Sequence, residues 1–170
     1  MRRRASVIGL ALLAALTWLA WAQSAPAPAP GILGAAELKQ LVPSNFFFAG
    51  KTAPVQQRNS AGVRFASGKL LLAALVDTSG YSSAIEEKYQ GMLITEAPLS
   101  IEGATLKPGA YGFGFSRGKF IVMDVAANDE LTAPAQVDDK IKPAMPLKIV
   151  GQDGGYRLYA GRSYVTVKAK

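Results

Sequence analysis

The chemistry open to this chain is set first by two absences: its 170 residues include neither histidine nor cysteine. Histidine-based triads, thiol nucleophiles, disulfides and the common Cys/His zinc and iron sites are therefore excluded. The acids available for chemistry are 12 Asp plus Glu. Hydrolysis of the glycosidase type needs two such groups facing each other across a cleft. Asp124 is the strongest candidate, because it is embedded in the apolar run Phe120-Ile121-Val122-Met123-Asp124-Val125 and alternates with Phe120 and Val122. Asp77 and Glu102 are the acids that could serve beside it. A strand-end aspartate that reaches solvent or Lys119 explains Asp124 more simply, so no catalytic residue is assigned.

Other short motifs fall away on inspection. Leu75-Val76-Asp77-Thr78-Ser79-Gly80 resembles the catalytic phrase of aspartic proteases, but Ser79 stands where that family has glycine. A turn closed by the Asp77 side chain is the simpler expectation. In Gly62-Val63-Arg64-Phe65-Ala66-Ser67-Gly68-Lys69-Leu70 the glycine spacing is too long for a phosphate-binding loop, and Leu70 replaces the metal-binding hydroxyl. Gly112-Phe113-Gly114 lacks the third glycine and the opening helix of a dinucleotide fingerprint. Asn128-Asp129-Glu130 and Asp138-Asp139 lack the spacing of a dedicated calcium loop. No metal site and no cofactor is expected. Arg58, Arg64, Arg117, Arg157 and Arg162 are scattered and form no basic stripe, so nucleic acid is not expected as a partner.

The aromatic residues suggest binding rather than catalysis. Tyr111, Phe113 and Phe115 alternate with Gly112 and Gly114, which puts three rings on one strand face and bare backbone on the other. Such a strand is either a core ladder or a smooth surface against which a ligand or another chain lies. With Phe120, Tyr156 and Tyr159 these rings form the candidate ligand or partner surface. Tyr164 is a further candidate for carbohydrate contact, although the mature chain would lack tryptophan, the best stacking platform.

The elements that must position these residues begin with a leader. Met1-Arg2-Arg3-Arg4 is followed by an apolar run to Ala22, and Ala20-Trp21-Ala22 has the small residues of a signal-peptidase site. Cleavage before Gln23 would leave 16 basic and 12 acidic side chains and would remove both tryptophans, Trp18 and Trp21. Periplasmic or secreted localisation follows, with membrane attachment only if the leader stays uncleaved. Residues 23–34 read as a Pro/Ala-rich spacer and residues 35–170 as one β-rich domain. Residues 35–42 can form two helical turns that Pro43 ends. One or two rings of Phe46-Phe47-Phe48 should enter the core.

Strands separated by Gly, Pro and Asn turns are expected at 55–57, 62–66, 70–76, 84–95, 99–101, 110–115, 120–125, 135–137, 147–150, 156–159 and 164–168. The apolar stretch 69–77 lacks alternation, so it is a strand buried on both faces or a core helix. Short hairpin connections such as Ser116-Arg117-Gly118 favour antiparallel pairing. The expected fold is all-β: an antiparallel β-sandwich or small β-barrel of about 8–10 strands with one short N-terminal helix.

Leu99-Ser100-Ile101-Glu102-Gly103-Ala104-Thr105-Leu106-Lys107-Pro108-Gly109-Ala110-Tyr111-Gly112-Phe113 resembles a phrase found in exported bacterial β-domains of uncharacterised function. That resemblance implies a secreted, sandwich-like domain and contributes no catalytic group. Here Pro108 should preset a turn and Gly109 supply positive φ. The function expected is an accessory or binding domain of the bacterial cell envelope, holding a small apolar ligand or a protein partner. A carboxylate-dependent periplasmic hydrolase and a purely structural envelope protein are the alternatives.

Overall fold

The structure is a computed structural model and describes residues 28–170. The expected leader (residues 1–22) and residues 23–27 of the expected spacer lie outside the described residues. Among the described residues, fourteen strands form two antiparallel sheets. In chain order they are β1 (Gly31–Ile32), β2 (Asn45–Phe48), β3 (Lys51–Arg64), β4 (Leu70–Val76), β5 (Gly91–Thr95), β6 (Leu99–Ile101), β7 (Ala104–Leu106), β8 (Gly109–Ser116), β9 (Lys119–Met123), β10 (Asp129–Pro134), β11 (Gln136–Val137), β12 (Met145–Gln152), β13 (Gly155–Gly161) and β14 (Ser163–Ala169). Two short helices accompany them, α1 (Ala35–Leu41) and α2 (Ser83–Glu86). Nine strands have five or more residues: β3, β4, β5, β8, β9, β10, β12, β13 and β14. Among the described residues, no helix is long and apolar enough to cross a membrane.

The first sheet runs β1-β3-β4-β5-β8-β9-β10, with β2 also paired to β3. The second runs β12-β13-β14-β6-β7, with β11 also paired to β14. Their inner faces close on one apolar cluster, to which the first sheet contributes Val63, Leu71, Ala73, Leu93, Phe113, Phe120 and Val122, and the second Leu99, Ile101, Leu147, Ile149, Leu158, Val165 and Val167. This is a β-sandwich, with two sheets burying alternate residues against each other.

A second cluster lies on the outer face of the first sheet. There Leu38 and Val42 of α1 and its C-terminal flank, Phe46 and Phe48 of β2, and Tyr89 after α2 cover Leu72, Ala74, Val76, Met92 and Met123. Burial on two sides explains why the 70–76 stretch shows no alternation: Leu71 and Ala73 face the other sheet, whereas Leu72, Ala74 and Val76 face the cover. In β2 the period of two is plain, with Phe46 and Phe48 buried and Phe47 56% exposed.

Several hairpins follow their turn chemistry. Ser116 pairs with Lys119 around Arg117-Gly118, and both central residues have positive φ, 49° and 74°. That is a type I′ turn, whose twist suits a two-residue hairpin. Four local expectations are revised. Residues 84–95 are not one bent strand: α2 and a turn precede β5. The segments at 55–57 and 62–66 are one strand, β3, interrupted by a register shift between Gln56 and Ser60. Gly31–Ile32 pairs with Arg64 and Val63, and Leu33 is buried, so the end of the expected spacer belongs to the fold. Gly109 needs no positive φ; it is extended within β8, and a Cβ there would meet the Tyr111 ring.

Candidate functional site: a cleft at one end of the sandwich

The two sheets leave a cleft of about 400 Å³ at one end. One wall comes from the first sheet, with Gln56 at the register shift of β3, Leu75 and Val76 at the end of β4, Thr78 just beyond, Gln90 before β5 and Phe115 near the end of β8. Pro146, Ala160, Gly161 and Ser163, from the start of β12 and the β13–β14 turn, form the other. None of the ten lining residues is charged.

Local chemistry holds this mouth open. β3 pairs Gln56 with Leu75 and Ser60 with Ala74, so residues 57–59 are extra and bulge from the ladder. The bulge is fixed by Ser60 Oγ donating to the Gln57 carbonyl at 2.6 Å, and by Asn59 Nδ2 donating to Gln56 Oε1 at 2.8 Å. Farther along the same wall, Gln90 acts as a substitute strand. Its Nε2 donates to the Phe115 carbonyl at 2.9 Å, and its Oε1 accepts the Phe115 N–H at 3.1 Å. The end of β8 is thereby satisfied without another strand, which keeps the space beside the Phe115 ring unfilled. Phe115 rests on Phe120 with ring centroids 4.8 Å apart. Such a cleft can seat an uncharged ligand of modest size through apolar contact and a few hydrogen bonds.

The aromatic candidates fall in different places. Phe115 lines the cleft. Phe113 and Phe120 are fully buried between the sheets, 5.7 Å apart, and offer no surface to a ligand. Tyr111 is half-buried near the start of β8, away from the cleft, donates to the Lys107 carbonyl at 3.0 Å, and has its phenol pKa raised by burial and by the charge of Glu130. Tyr156 points inward, edge-on to Phe65 at 6.1 Å. Tyr159 is buried on the other side of β13, beside Tyr164 at 5.0 Å, and donates to Asp138 at 3.2 Å. The bare face at Gly112 and Gly114 is closed by the chain itself: a Cβ on Gly112 would strike the Phe48 ring, and one on Gly114 the Lys88 carbonyl.

The three carboxylate candidates are each engaged locally. Asp77 accepts the Ser79 N–H at 3.1 Å, the turn expected from its sequence. Asp124 lies just past β9 and accepts the N–H groups of Ala126 and Asn128 and the Asn128 side chain, all at 2.8–2.9 Å. Bonds from Ser79 hold the Asp77 pKa below the usual carboxylate value, and bonds from Asn128 do the same for Asp124. That direction is opposite to the one a general acid requires. Glu102 accepts the Thr166 N–H at 2.5 Å and so extends the β6–β14 ladder with a side chain. Among the described residues, no three acids converge on a common point.

Sequence reasoning passed over Gln56, Thr78, Gln90, Pro146 and Ser163. Single neutral residues at strand ends have no spacing rule, and the only hint was a glutamine directly before the Gly91 strand. Comparison of the chain with protein-family models, with curated proteins and with solved structures gave no match.

Proposed function

We propose that this chain is an exported, non-enzymatic binding domain of the bacterial cell envelope, and that its end cleft holds a small, uncharged, largely apolar ligand. The observation carrying this reading is the composition of the cleft: Leu75, Phe115, Pro146 and Ala160 beside Gln56, Thr78 and Ser163, with no charged side chain. A volume of about 400 Å³ suits a small ligand. The local engagement of Asp77, Glu102 and Asp124 favours binding over carboxylate catalysis. The arginine-led apolar run that reads as a leader, and the resemblance of 99–113 to a phrase of exported β-domains, support the address.

The test uses Nile red, an uncharged apolar dye, as probe. Its fluorescence should rise on binding wild-type protein and fall to background in Ala160→Trp and Gln56→Trp, which fill the cleft from opposite walls. Thermal melts of both variants should stay close to wild type. Undiminished dye binding in both filled variants would refute the cleft as the site.

A further inference from the structure

The outer faces of the two sheets are finished differently. The first is covered by α1, β2 and the α2 region, whereas exposed Lys148 and Lys168 stand on the outer face of β12–β14, with Lys170 just past its end. Charge follows the same division. Residues 28–135 carry nine basic and nine acidic side chains, and residues 136–170 carry seven and three. The positive excess of the described residues thus lies entirely in β11–β14 and their connections.

The register arranges these cations. Lys148 pairs with Tyr159, Tyr159 with Tyr164, Arg157 with Thr166, and Lys168 with Ser100. Lys148, Arg157 and Lys168 therefore form a diagonal across three neighbouring strands, each step one strand across and two residues along, or about 8 Å. Arg157 at its centre is held in place. Its guanidinium carbon sits 4.6 Å from the centroid of the Tyr164 ring, its Nε donates to Gln152 Oε1 at 2.6 Å, and Nη1 reaches Tyr159 Oη at 3.4 Å. The remaining N–H groups stay available to an anion. Ion pairs within 4.0 Å among the described residues are Arg64–Glu37, Lys88–Asp129 and Arg117–Glu87, none of them on this face. Three acids border it: Asp138, which accepts the Tyr159 hydroxyl and whose charge helps to raise the Arg157 pKa, Glu102, which accepts the Thr166 N–H, and Asp153 in the turn next to Lys168.

We infer that this face docks on an anionic phospholipid surface, with Arg157 taking a lipid phosphate and Lys148 and Lys168 flanking it. The charge complementarity is direct. A lipid surface fits better than an acidic glycan, because Tyr159 and Tyr164 are buried and leave no stacking platform for a sugar. The adjoining edge also carries what a headgroup layer accepts: Val137 is 62% exposed, and exposed Lys140 and Lys142 flank Ile141 in the following loop. This docking does not involve the end cleft and stands apart from the ligand proposed there.

The test is sedimentation of the full chain, produced in its own host, with vesicles of phosphatidylcholine alone or with about one-third phosphatidylglycerol. The quantity read is the increment over neutral vesicles. It should be large at low salt and shrink as salt rises. K148Q/R157Q/K168Q should lower it about 100-fold, roughly fivefold per charge removed, and K148Q/K168Q, which leaves the Arg157 stack intact, about 25-fold. K39Q/K69Q/K119Q removes the same charge from elsewhere and should leave it unchanged. No increment for wild type, an equal loss in that control, or retention on alginate without vesicle binding would each overturn the proposal.

Discussion

The Phe48 ring lies against the backbone of Gly112, in the space a Cβ would take, and stacks on Tyr89 with centroids 3.9 Å apart. β2 thus closes the bare side of β8, while Tyr111, Phe113 and Phe115 on its other side meet the second sheet. Gly112→Ala should cost about 1–3 kcal/mol, because a methyl there displaces a packed ring. Gly151→Ala is the control: nothing lies within 4 Å of a Cβ at that exposed β12 position. Urea unfolding should show the first variant clearly destabilised and the second nearly unchanged. Equal midpoints would mean that Phe48 does not close β8.

Tyr89 is fully buried, and its hydroxyl has no hydrogen-bond partner among the described residues. Burial, reinforced by neighbouring Tyr81, pushes its pKa well above the ordinary tyrosine value. The folded state therefore retains a proton that the unfolded chain releases near pH 10. Its contribution to stability is complete below about pH 10 and falls as pH rises further. Tyr89→Phe should raise stability at neutral pH by up to about 1 kcal/mol and weaken the alkaline loss. Identical stability-versus-pH curves for wild type and variant would contradict this.

Asp124 shows the opposite sign. Three bonds from Ala126 and Asn128 favour its charged form and lower its folded pKa. Its contribution is present above the unfolded value of about 3.9 and is lost as pH falls through the lowered folded value. Asp124→Ala should lower the urea midpoint at neutral pH and narrow its gap to wild type in strong acid. A constant gap at all pH values would show that the turn does not depend on the carboxylate's charge.

Much of this architecture can be read from residue order, for physical reasons. Phe46 and Phe48 against Phe47, Val165 and Val167 against exposed Lys168, and Arg117-Gly118 each follow a local rule of alternation or turn geometry, whereas Tyr164, expected on the wetter face, is buried. The double burial of β4 is legible as an apolar run, although the run itself does not distinguish strand from helix. Residues 84–95 misled because the one-turn helix after Ser82 is too short to show a helical period and lies just ahead of the apolar strand 91–95. The cleft was illegible: Gln56, Gln90, Phe115, Pro146 and Ser163 meet only through tertiary pairing. The Arg157–Tyr164 stack likewise depends on the β13–β14 register.

Processing gives a separate test of the export reading. Protein recovered from its own host should have the mass of residues 23–170 and no tryptophan emission, since Trp18 and Trp21 leave with the leader. An intact N-terminus on the recovered protein would contradict cleavage.

Native mass spectrometry of the protein, purified gently from its own envelope, bears most directly on ligand binding. Wild type should carry a small neutral adduct that collisional activation releases, and Ala160→Trp prepared identically should carry none. A bare polypeptide mass for wild type, or the same adduct on both proteins, would contradict a ligand held between Phe115 and Ala160.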